Sequence, residues 1–527
     1  MKQFRDPIYN SIEIENYAIF IINSPEFQRL RHLRQLGVVY LVYPSANHTR
    51  FEHSLGVYHL TKIALDHLNA QLPESLSDRV TKIVKTAALV HDIGHGPFSH
   101  LFEQILHKNN IKLDGKQICH ESIGCDVFRK MMQRIKMDVG MDDHDIDCVC
   151  SLITGQEADD ETFKKYFFLN QIVSNSVNGL DTDKMDYLLR DSRSVGLGLT
   201  IDPIRILKNQ SIFKYPKDST GKYYLSSSQK TKFDIMQVYH TRYILTKIIY
   251  QTSKSIAWDL IILYIFEQAI KFKLIDIPTL YKRDVLPDDR ILGYIQYLHQ
   301  QMDCPYKQLQ NKLDVLDYHN TPTVVFETSI THNCELTQNI SSDIRAQKIK
   351  QFIQDQTELQ SNLFEVVISD IKYGVKNQNP LDFLPIHNKQ TVFTPTKFAE
   401  QYGSKSKLQS QSNSTNENSQ YPQTPVRLMP PVSIDNAATQ DMLMPNIFKE
   451  TLLYVFIYTN NLFSQNQLKE SIQNFLLSQN LNNNENSIQL LTDNCLEYND
   501  IVPITISPLL TTHNNFPLPE DCKSDDK

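Results

Sequence analysis

The chain is 527 residues long, which at roughly 100–200 residues per domain allows about three folded units and a large core. Hydrophobic residues make up 41% and charged residues 21%, ordinary globular usage, which excludes a wholly disordered or collagen-like chain. Lys and Arg number 53 against 60 Asp and Glu, a net charge of −7; overall charge therefore argues against attachment to DNA, and only a local basic pocket is compatible with it.

The cysteines, Cys119, Cys125, Cys148, Cys150, Cys304, Cys334, Cys495 and Cys522, make no repeated ligand spacing, so neither a disulfide framework nor a zinc finger is supported. Their close pair, Cys148-x-Cys150, reads as ordinary thiols. The opening MKQFRDPIYN lacks the apolar centre of a signal peptide. Ile256 to Phe266, interrupted by Asp259, falls well short of the ~20 residues that span a bilayer. These features predict a reduced intracellular protein, nuclear or cytoplasmic, with no membrane partner.

Along the chain, Phe20, Ile21, Phe27, Leu30, Leu33 and Leu36 recur mostly at three- and four-residue steps, and Ser54 to Leu68 does the same, which predicts helices. Ile83 to Ile93 (IVKTAALVHDI) is nearly continuous in apolar and small residues and predicts a buried central helix. Gly94, Gly96 and Pro97 are expected to end it, because Gly tolerates the turn and Pro cannot continue the ladder. Asn178-Gly179 marks a turn, followed by a helix over Asp181 to Arg190. Beyond about residue 320, Thr323 to Thr328, Phe364 to Ile368 and Leu452 to Tyr458 read as strands, and Leu468 to Leu477 as a helix. Gly403 to Ser433 is Ser/Asn/Gln-rich and finally Pro-rich; it cannot bury enough apolar surface to offset its ordering entropy and is expected to be disordered. The fold class is mainly α, a helical core with a smaller α+β carboxy-terminal lobe and a disordered insertion. The expected divisions are 1–255 catalytic, 256–320 helical extension, 321–402 α+β lobe, 403–445 insertion, 446–515 remainder of the lobe and 516–527 tail.

Four polar groups stand in order inside or beside apolar helices: His53, His91-Asp92 and Asp183. An unpaired polar group there would cost several kcal/mol. Two imidazoles and two carboxylates balance a divalent ion and leave positions for water and a phosphate oxygen. Adjacent His91 and Asp92 point about 100° apart on a helix, so both reach one ion only near its end. His95 lies one turn beyond His91, and His100 three residues before Glu103, within reach of an orienting carboxylate. A zinc-protease reading needs Glu after the first His of His-x-x-x-His; Asp92 stands there, which disfavours it. Asp183, Tyr187 and Arg190 share one helix face, beside Lys184 and Asp191.

These segments resemble the HD-domain phosphohydrolases, and among them the SAM-and-HD-domain deoxynucleoside triphosphate triphosphohydrolases. The resemblance is carried by Phe4-Arg-Asp-Pro-Ile, Gln28-Arg-Leu-Arg31, Gln35-Leu36-Gly37, Arg50-Phe-Glu-His-Ser-Leu-Gly56, His91-Asp-Ile-Gly-His-Gly-Pro-Phe-Ser-His100, Ile172-Val-Ser-Asn175, Gly179-Leu-Asp-Thr-Asp-Lys-Met-Asp-Tyr187, Arg190-Asp191 and His240-Thr-Arg242. Weaker echoes are Asn379-Pro-Leu-Asp382 and Lys397-Phe-Ala-Glu-Gln401. The HD region begins at residue 1, so no SAM domain is expected. The resemblance implies that His53, His91, Asp92 and Asp183 bind a divalent metal (Fe, Mn, Zn or Mg), with Mg accompanying the triphosphate. It implies that His95, His100, Glu103 and His120 surround the α-phosphate, His100 protonating the leaving oxygen, with Glu103 where the family usually has Asp. Arg50, Lys184 and Arg242 would hold the triphosphate; Gln35 and Asp191 would take the sugar 3′-hydroxyl. Leu36, Tyr187 and Tyr250 would crowd C2′, and Gln251 would meet the base. The implied reaction releases deoxynucleoside and inorganic triphosphate from dGTP and other deoxynucleoside triphosphates.

The same resemblance implies a second nucleotide site at Lys2, Gln28, Arg31 and Lys230, through which GTP or a deoxynucleotide drives assembly in vertebrate members. Asn23 and Asp234 depart from that pattern, and Ser211, Ser228 and the Thr252-Ser253 pair stand where it expects Arg, Arg and His-Lys, which removes cations. An activator-independent dimer or a differently regulated oligomer therefore stays open. Two other readings are carried alongside: an HD phosphohydrolase acting on another nucleotide, and an idle module binding nucleotide or single-stranded nucleic acid. The complete metal set argues against idleness, and no stacking-and-basic-groove pattern for nucleic acid is present.

Overall fold

In the computed structural model, the described residues are 1–112, 119–215, 221–277, 288–301, 307–318, 321–330, 341–373, 378–388, 391–395, 397, 431–434, 449–458 and 461–478. The chain opens on a hairpin, β1 (Lys2–Asp6) and β2 (Asn10–Ile14), and then becomes helical. The helices that build the first half are α1 (Asn16–Ile22), α2 (Arg50–Asn69), α3 (Asp78–Val90), α4 (His100–Lys108), α5 (His120–Val139), α6 (Asp143–Ile153) and α7 (Thr182–Ser194). A hairpin of β3 (Gln210–Lys214) and β4 (Tyr223–Ser228) precedes α8 (Lys232–Leu245), a π-helical turn Thr246–Tyr250 and α9 (Ser253–Lys271). Next come α10 (Asp288–Gln300), α11 (Lys307–Tyr318), β5 (Thr323–Ile330), α12 (Ser342–Gln356), β6 (Phe364–Lys372), β7 (Ile386–His387), β8 (Val392–Pro395), β9 (Pro431–Ile434), β10 (Lys449–Ile457) and α13 (Leu462–Ser478). The protein is mainly α with small sheets, as expected.

The central helix α3 starts at Asp78, five residues earlier than the apolar run, because the Ser77 side chain caps it by accepting from Val80 N–H. It stops at Val90, so His91 and Asp92 lie at the helix end as their shared role requires. The glycines beyond it act through space rather than backbone conformation. A Cβ on Gly94 would lie 2.0 Å from the His120 carbonyl, and one on Gly96 would lie 2.1 Å from the Phe102 ring. Gly94 therefore lets α5 approach the turn. The expected Asn178-Gly179 turn is present, with Gly179 at φ +73°.

In the second half, β10 is the centre of an antiparallel sheet ordered β5-β10-β6, and it is buried on both faces. Leu453, Val455 and Ile457 pack towards Ile349, Ile353, Leu468 and Ile472 of α12 and α13. The alternate residues, Leu452, Tyr454 and Phe456, join Ile256 and Ala257 of α9. Residues assigned to the helical extension share a core with the first half: Trp258, Ile262 and Phe266 pack with Phe98, Leu101 and Phe102. The second sheet, ordered β3-β4-β7-β8-β9, also joins the two halves through the parallel pair Ser227↔Ile386. Pro431–Ile434, inside the segment expected to be disordered, pairs in parallel with Val392–Pro395; the rest of that segment and the 516–527 tail lie outside the described residues. Among the described residues, no helix is long and apolar enough to cross a membrane.

Candidate metal centre

The helix α2 begins at Arg50 because the Glu52 carboxylate accepts from Thr49 N–H at 2.8 Å, which sets His53 one residue later on the buried face. Asp181 caps α7 by accepting from Lys184 N–H at 2.9 Å, which places Asp183 in the first turn. These two starts and the end of α3 converge. His53 Nε2 lies 3.2 Å from His91 Nε2 and 3.1 Å from Asp183 Oδ1. His91 Nε2 is 3.4 Å from Asp183 Oδ1 and 3.5 Å from Asp92 Oδ1, and His53 Nε2 is 3.6 Å from Asp92 Oδ2. Donors at ~2.1 Å from one ion sit about 3.0 Å apart in octahedral coordination; His53, His91 and Asp92 are grouped closely enough to share a divalent cation, and Asp183 lies beside both histidines.

The outer nitrogens fit the same reading. His53 Nδ1 is 2.8 Å from Asp186 Oδ2, and His91 Nδ1 is 2.8 Å from the Ala88 carbonyl. Both Nδ1 atoms therefore donate, and two Nε2 lone pairs face each other across 3.2 Å, an arrangement that a cation relieves. Burial alone would lower the His53 pKa, but hydrogen bonds from Asp183 and Asp186 outweigh it and raise it to about 10. A proton thus takes the cation's place when none is bound. Asp186 is in turn held by Arg190 through Nε–Oδ2 at 2.9 Å and Nη2–Oδ1 at 3.0 Å, and Arg190 Nη1 reaches Asp6 Oδ2 at 3.0 Å. Arg190, on the helix face of Asp183 and Tyr187, is a fully buried ion-pair residue. Asp186 was missed; its signal is the three-residue step from Asp183. Gly56 belongs with them, since a Cβ there would sit 1.9 Å from Asp186 Oδ1.

Beside this group stands a second one. His95 Nε2 is 3.3 Å from Asp92 Oδ1, and its ring stacks on His120 at 4.0 Å. His100 packs edge-on to both rings, at 4.9 and 5.4 Å. The orienting role expected of Glu103 towards His100 falls instead on His120. Glu103 Oε1 accepts from His120 N–H at 2.8 Å and contacts His120 Nδ1 at 2.5 Å, whereas Oε2 is 4.0 Å from His100 Nδ1. The reason is position: His100 opens α4 with its side chain 68% exposed, while the start of α5 lies directly against Glu103. Burial and then the Arg50 and His120 charges hold His95 well below the usual imidazole range. Burial opposes a charge on His120 too, but the Glu103 hydrogen bond overcomes it and raises its pKa.

The turn between α3 and α4 carries left-handed backbone at two non-glycine residues, Phe98 (φ +62°) and Ser99 (φ +59°). Such strain persists only when neighbours over-determine it. Here Asp288 of α10 accepts from Phe98 N–H at 2.8 Å, Ser99 Oγ donates to the Arg34 carbonyl at 2.7 Å, and Arg50 Nε donates to Ser99 Oγ at 3.0 Å. Arg29 clamps the carbonyls of Ile93 and His95 at 2.6 and 2.7 Å.

Arg50 Nη1 is 2.5 Å from Asp92 Oδ2, and Lys184 Nζ is 3.0 Å from Asp181 Oδ2, so both cations are paired with carboxylates at the site. Tyr187 lies 6.4 Å from His53, ring to ring. Asp191 accepts from Tyr250 Oη at 2.6 Å and contacts His48 Nε2 at 2.7 Å; His48 was not anticipated. Leu36 and Tyr250 pack against the main core. Three buried polar atoms here, Gln35 Oε1, Gln251 Oε1 and His48 Nδ1, make no hydrogen bond within the protein. Arg242 donates to the Lys372 carbonyl at 2.6 Å. Gln28 and Arg31 bond to each other at 2.9 Å, Arg31 lies over the Phe51 ring and Lys2 over Phe4, while the Lys230 carbonyl accepts from Arg205 at 3.2 Å.

The HD domain family matches residues 50–187, the interval from Arg50 to Tyr187 that holds both groups of histidines and carboxylates. Residues 50–187 thus carry an HD domain. The chain is similar to an HD domain-containing protein of Acanthamoeba polyphaga mimivirus, 36% identical over 47% of this chain and 54% of the viral protein. It is similar also to the deoxynucleoside triphosphate triphosphohydrolase SAMHD1 homolog of Dictyostelium discoideum, 34% identical over 51% of this chain and 50% of that one. The deoxynucleoside triphosphate triphosphohydrolase SAMHD1 of Gallus gallus matches at 28% identity over 72% of this chain and 66% of its own length. The chain thus spans about half the length of the first of these relatives.

Proposed function

We propose that this chain hydrolyses deoxynucleoside triphosphates, dGTP among them, to deoxynucleoside and inorganic triphosphate. The observation that carries the reading is the grouping of His53, His91, Asp92 and Asp183 donor atoms within 3.6 Å steps, with Asp92 linking them to the stacked His95–His120 pair. Those four residues would hold a divalent cation, Fe, Mn, Zn or Mg, which would supply Lewis acidity towards a phosphoryl oxygen and towards bound water. The chain's own groups do the rest. Arg50, Lys184 and Arg242 hold the triphosphate, whose roughly four negative charges compete for the first two with Asp92 and Asp181. His100 delivers the proton to the leaving oxygen, and the Glu103–His120 pair keeps positive charge beside it while His95 stays neutral. Asp191 accepts from the 3′-hydroxyl and the Gln35 amide donates to it, Leu36, Tyr187 and Tyr250 exclude a 2′-hydroxyl, and Gln251 meets the base.

Product analysis across deoxynucleoside and ribonucleoside triphosphates, with and without GTP, tests this reading. Deoxynucleoside plus triphosphate is expected; nucleoside monophosphate plus pyrophosphate would reject the bond assignment. Indifference to GTP would leave Lys2, Gln28, Arg31 and Lys230 without an activating role and favour an oligomer assembled without nucleotide.

A further inference from the structure

We propose a second metal site, distinct from the centre above, in which His144, Cys148 and Asp160 bind one zinc ion. His144 and Cys148 stand one helical turn apart in the first half of α6, so their side chains share a face. Asp160 caps the short helix Glu161–Lys165, and its two oxygens have separate tasks. Oδ1 accepts from Thr162 N–H at 2.8 Å, and Oδ2 lies 3.4 Å from His144 Nε2. Cys148 Sγ is 3.9 Å from His144 Nε2, and one donor atom from each of the three falls within 4.8 Å of the others. Tetrahedral zinc, with bonds of ~2.0–2.1 Å to N or O and ~2.3 Å to S, needs about 3.4 Å between N and O and about 3.6 Å between N and S. The two separations from His144 Nε2 require adjustments of a few tenths of an ångström.

Charge and softness select the ion. A nitrogen, thiolate and carboxylate set favours zinc over magnesium or calcium, which take oxygen donors. Arg79 already lies between the acids, 2.6 Å from Asp145 Oδ1 and 3.0 Å from Asp160 Oδ2. One guanidinium and one divalent ion balance Asp145, Asp160 and a Cys148 thiolate. Burial and the Asp160 charge push the Cys148 thiol up to about 11, so an ion that binds there forms its sulfur bond by releasing the thiol proton to solvent. His144, half exposed, marks the side from which the ion enters and where water completes the coordination. The ion would tie α6 and the Asp160 cap to Arg79 at the start of α3. Cys150, two residues on, does not belong to the site; its carbonyl faces Cys125 Sγ at 3.6 Å.

The test is titration of the metal-stripped full chain with Co²⁺, read by absorption. None of the four residues of the first centre is a thiol, so a near-ultraviolet sulfur-to-cobalt charge-transfer band reports the second site alone. Up to one equivalent beyond that taken by the first centre should raise that band, zinc should abolish it, and Cys148→Ser and His144→Ala should each lose it while Cys150→Ser keeps it. His144→Ala, at a half-exposed position, decides the matter should Cys148→Ser not fold. Absence of the band at saturation, or its survival in His144→Ala, would overturn the proposal.

Discussion

At the residue scale, the metal centre depends on a layer that touches no ion. Asp186 orients His53, Arg190 neutralises Asp186 and is itself held by Asp6, and Gly56 is the space that admits them. Breaking a buried ion pair by removing one partner costs about 3–5 kcal/mol. Gly56→Ala drives a methyl group into Asp186 and Arg190, so a loss of that order is expected in chemical denaturation, together with weaker metal uptake. Unchanged stability would show that the helices separate without penalty. The raised His53 pKa has a sign that can be checked. Its folded value, about 10, lies above its ordinary 6.5, so the metal-free protein holds this stabilisation fully below about pH 6.5 and loses it as pH rises through 10. Metal affinity runs the opposite way, rising by up to about tenfold per pH unit below 10 as fewer protons must be displaced. Urea midpoints of stripped protein and metal titrations at about pH 6 and pH 9 would test both slopes. The four candidate ligands stand out in sequence because each is a polar group set into an apolar run. Gly56 and His48 do not, since their roles are a volume and a hydrogen bond made across the fold.

At the element scale, the helices were legible where apolar periodicity is strong, and the reasons for their ends were less so. Gly94 reads as a terminator, yet what it supplies is room for the α5 backbone. The π-helical turn Thr246–Tyr250 left no trace in the pattern, because one extra residue in a turn alters only local spacing. That turn leads straight into Tyr250 and Gln251, and strand β10 pins both of its flanks. Glu450 accepts from Tyr243 Oη at 2.6 Å and Lys247 Nζ at 2.9 Å, and Tyr454 Oη donates to the Gln251 carbonyl at 2.6 Å. Tyr43 Oη adds a bond to the Ile248 carbonyl at 2.8 Å. If Tyr250 closes the pocket over the sugar, loosening its support should matter more for selection than for chemistry. Tyr454→Phe removes one hydrogen bond, worth about 0.5–1.5 kcal/mol, without changing shape. It is expected to raise KM for a deoxynucleoside triphosphate and narrow the preference over the ribonucleotide several-fold, with kcat little changed. An unchanged KM ratio would confine Tyr454 to holding the sheet.

At the scale of the whole molecule, the divisions suggested by composition do not coincide with separate cores. The shift in character near residue 320 is real, since strands follow helices there, but sequence pattern cannot say which cores those strands enter. Leu384 packs into the main core of the first half, Phe383 and Val392 pack with Val177, Phe213 and Tyr224, and β10 divides its two faces between α9 and its own helices. Trp258 sits where the extension meets the catalytic helices, 3% exposed among Phe98, Phe102 and Ile262. It is the chain's single tryptophan and therefore a clean reporter. Leu453 lies on the opposite face of β10 from α9, in the cluster formed with α12 and α13. Truncating a buried leucine to alanine costs about 2–5 kcal/mol at its own site. If the halves unfold as one unit, Leu453→Ala lowers the midpoint of the Trp258 fluorescence transition in step with the helical circular-dichroism signal. Independent halves would leave the tryptophan midpoint where it was, because the Leu453 and Trp258 clusters share no residue among those described. The coupled outcome follows from β10: a strand buried on both faces cannot lose one core and keep its register for the other.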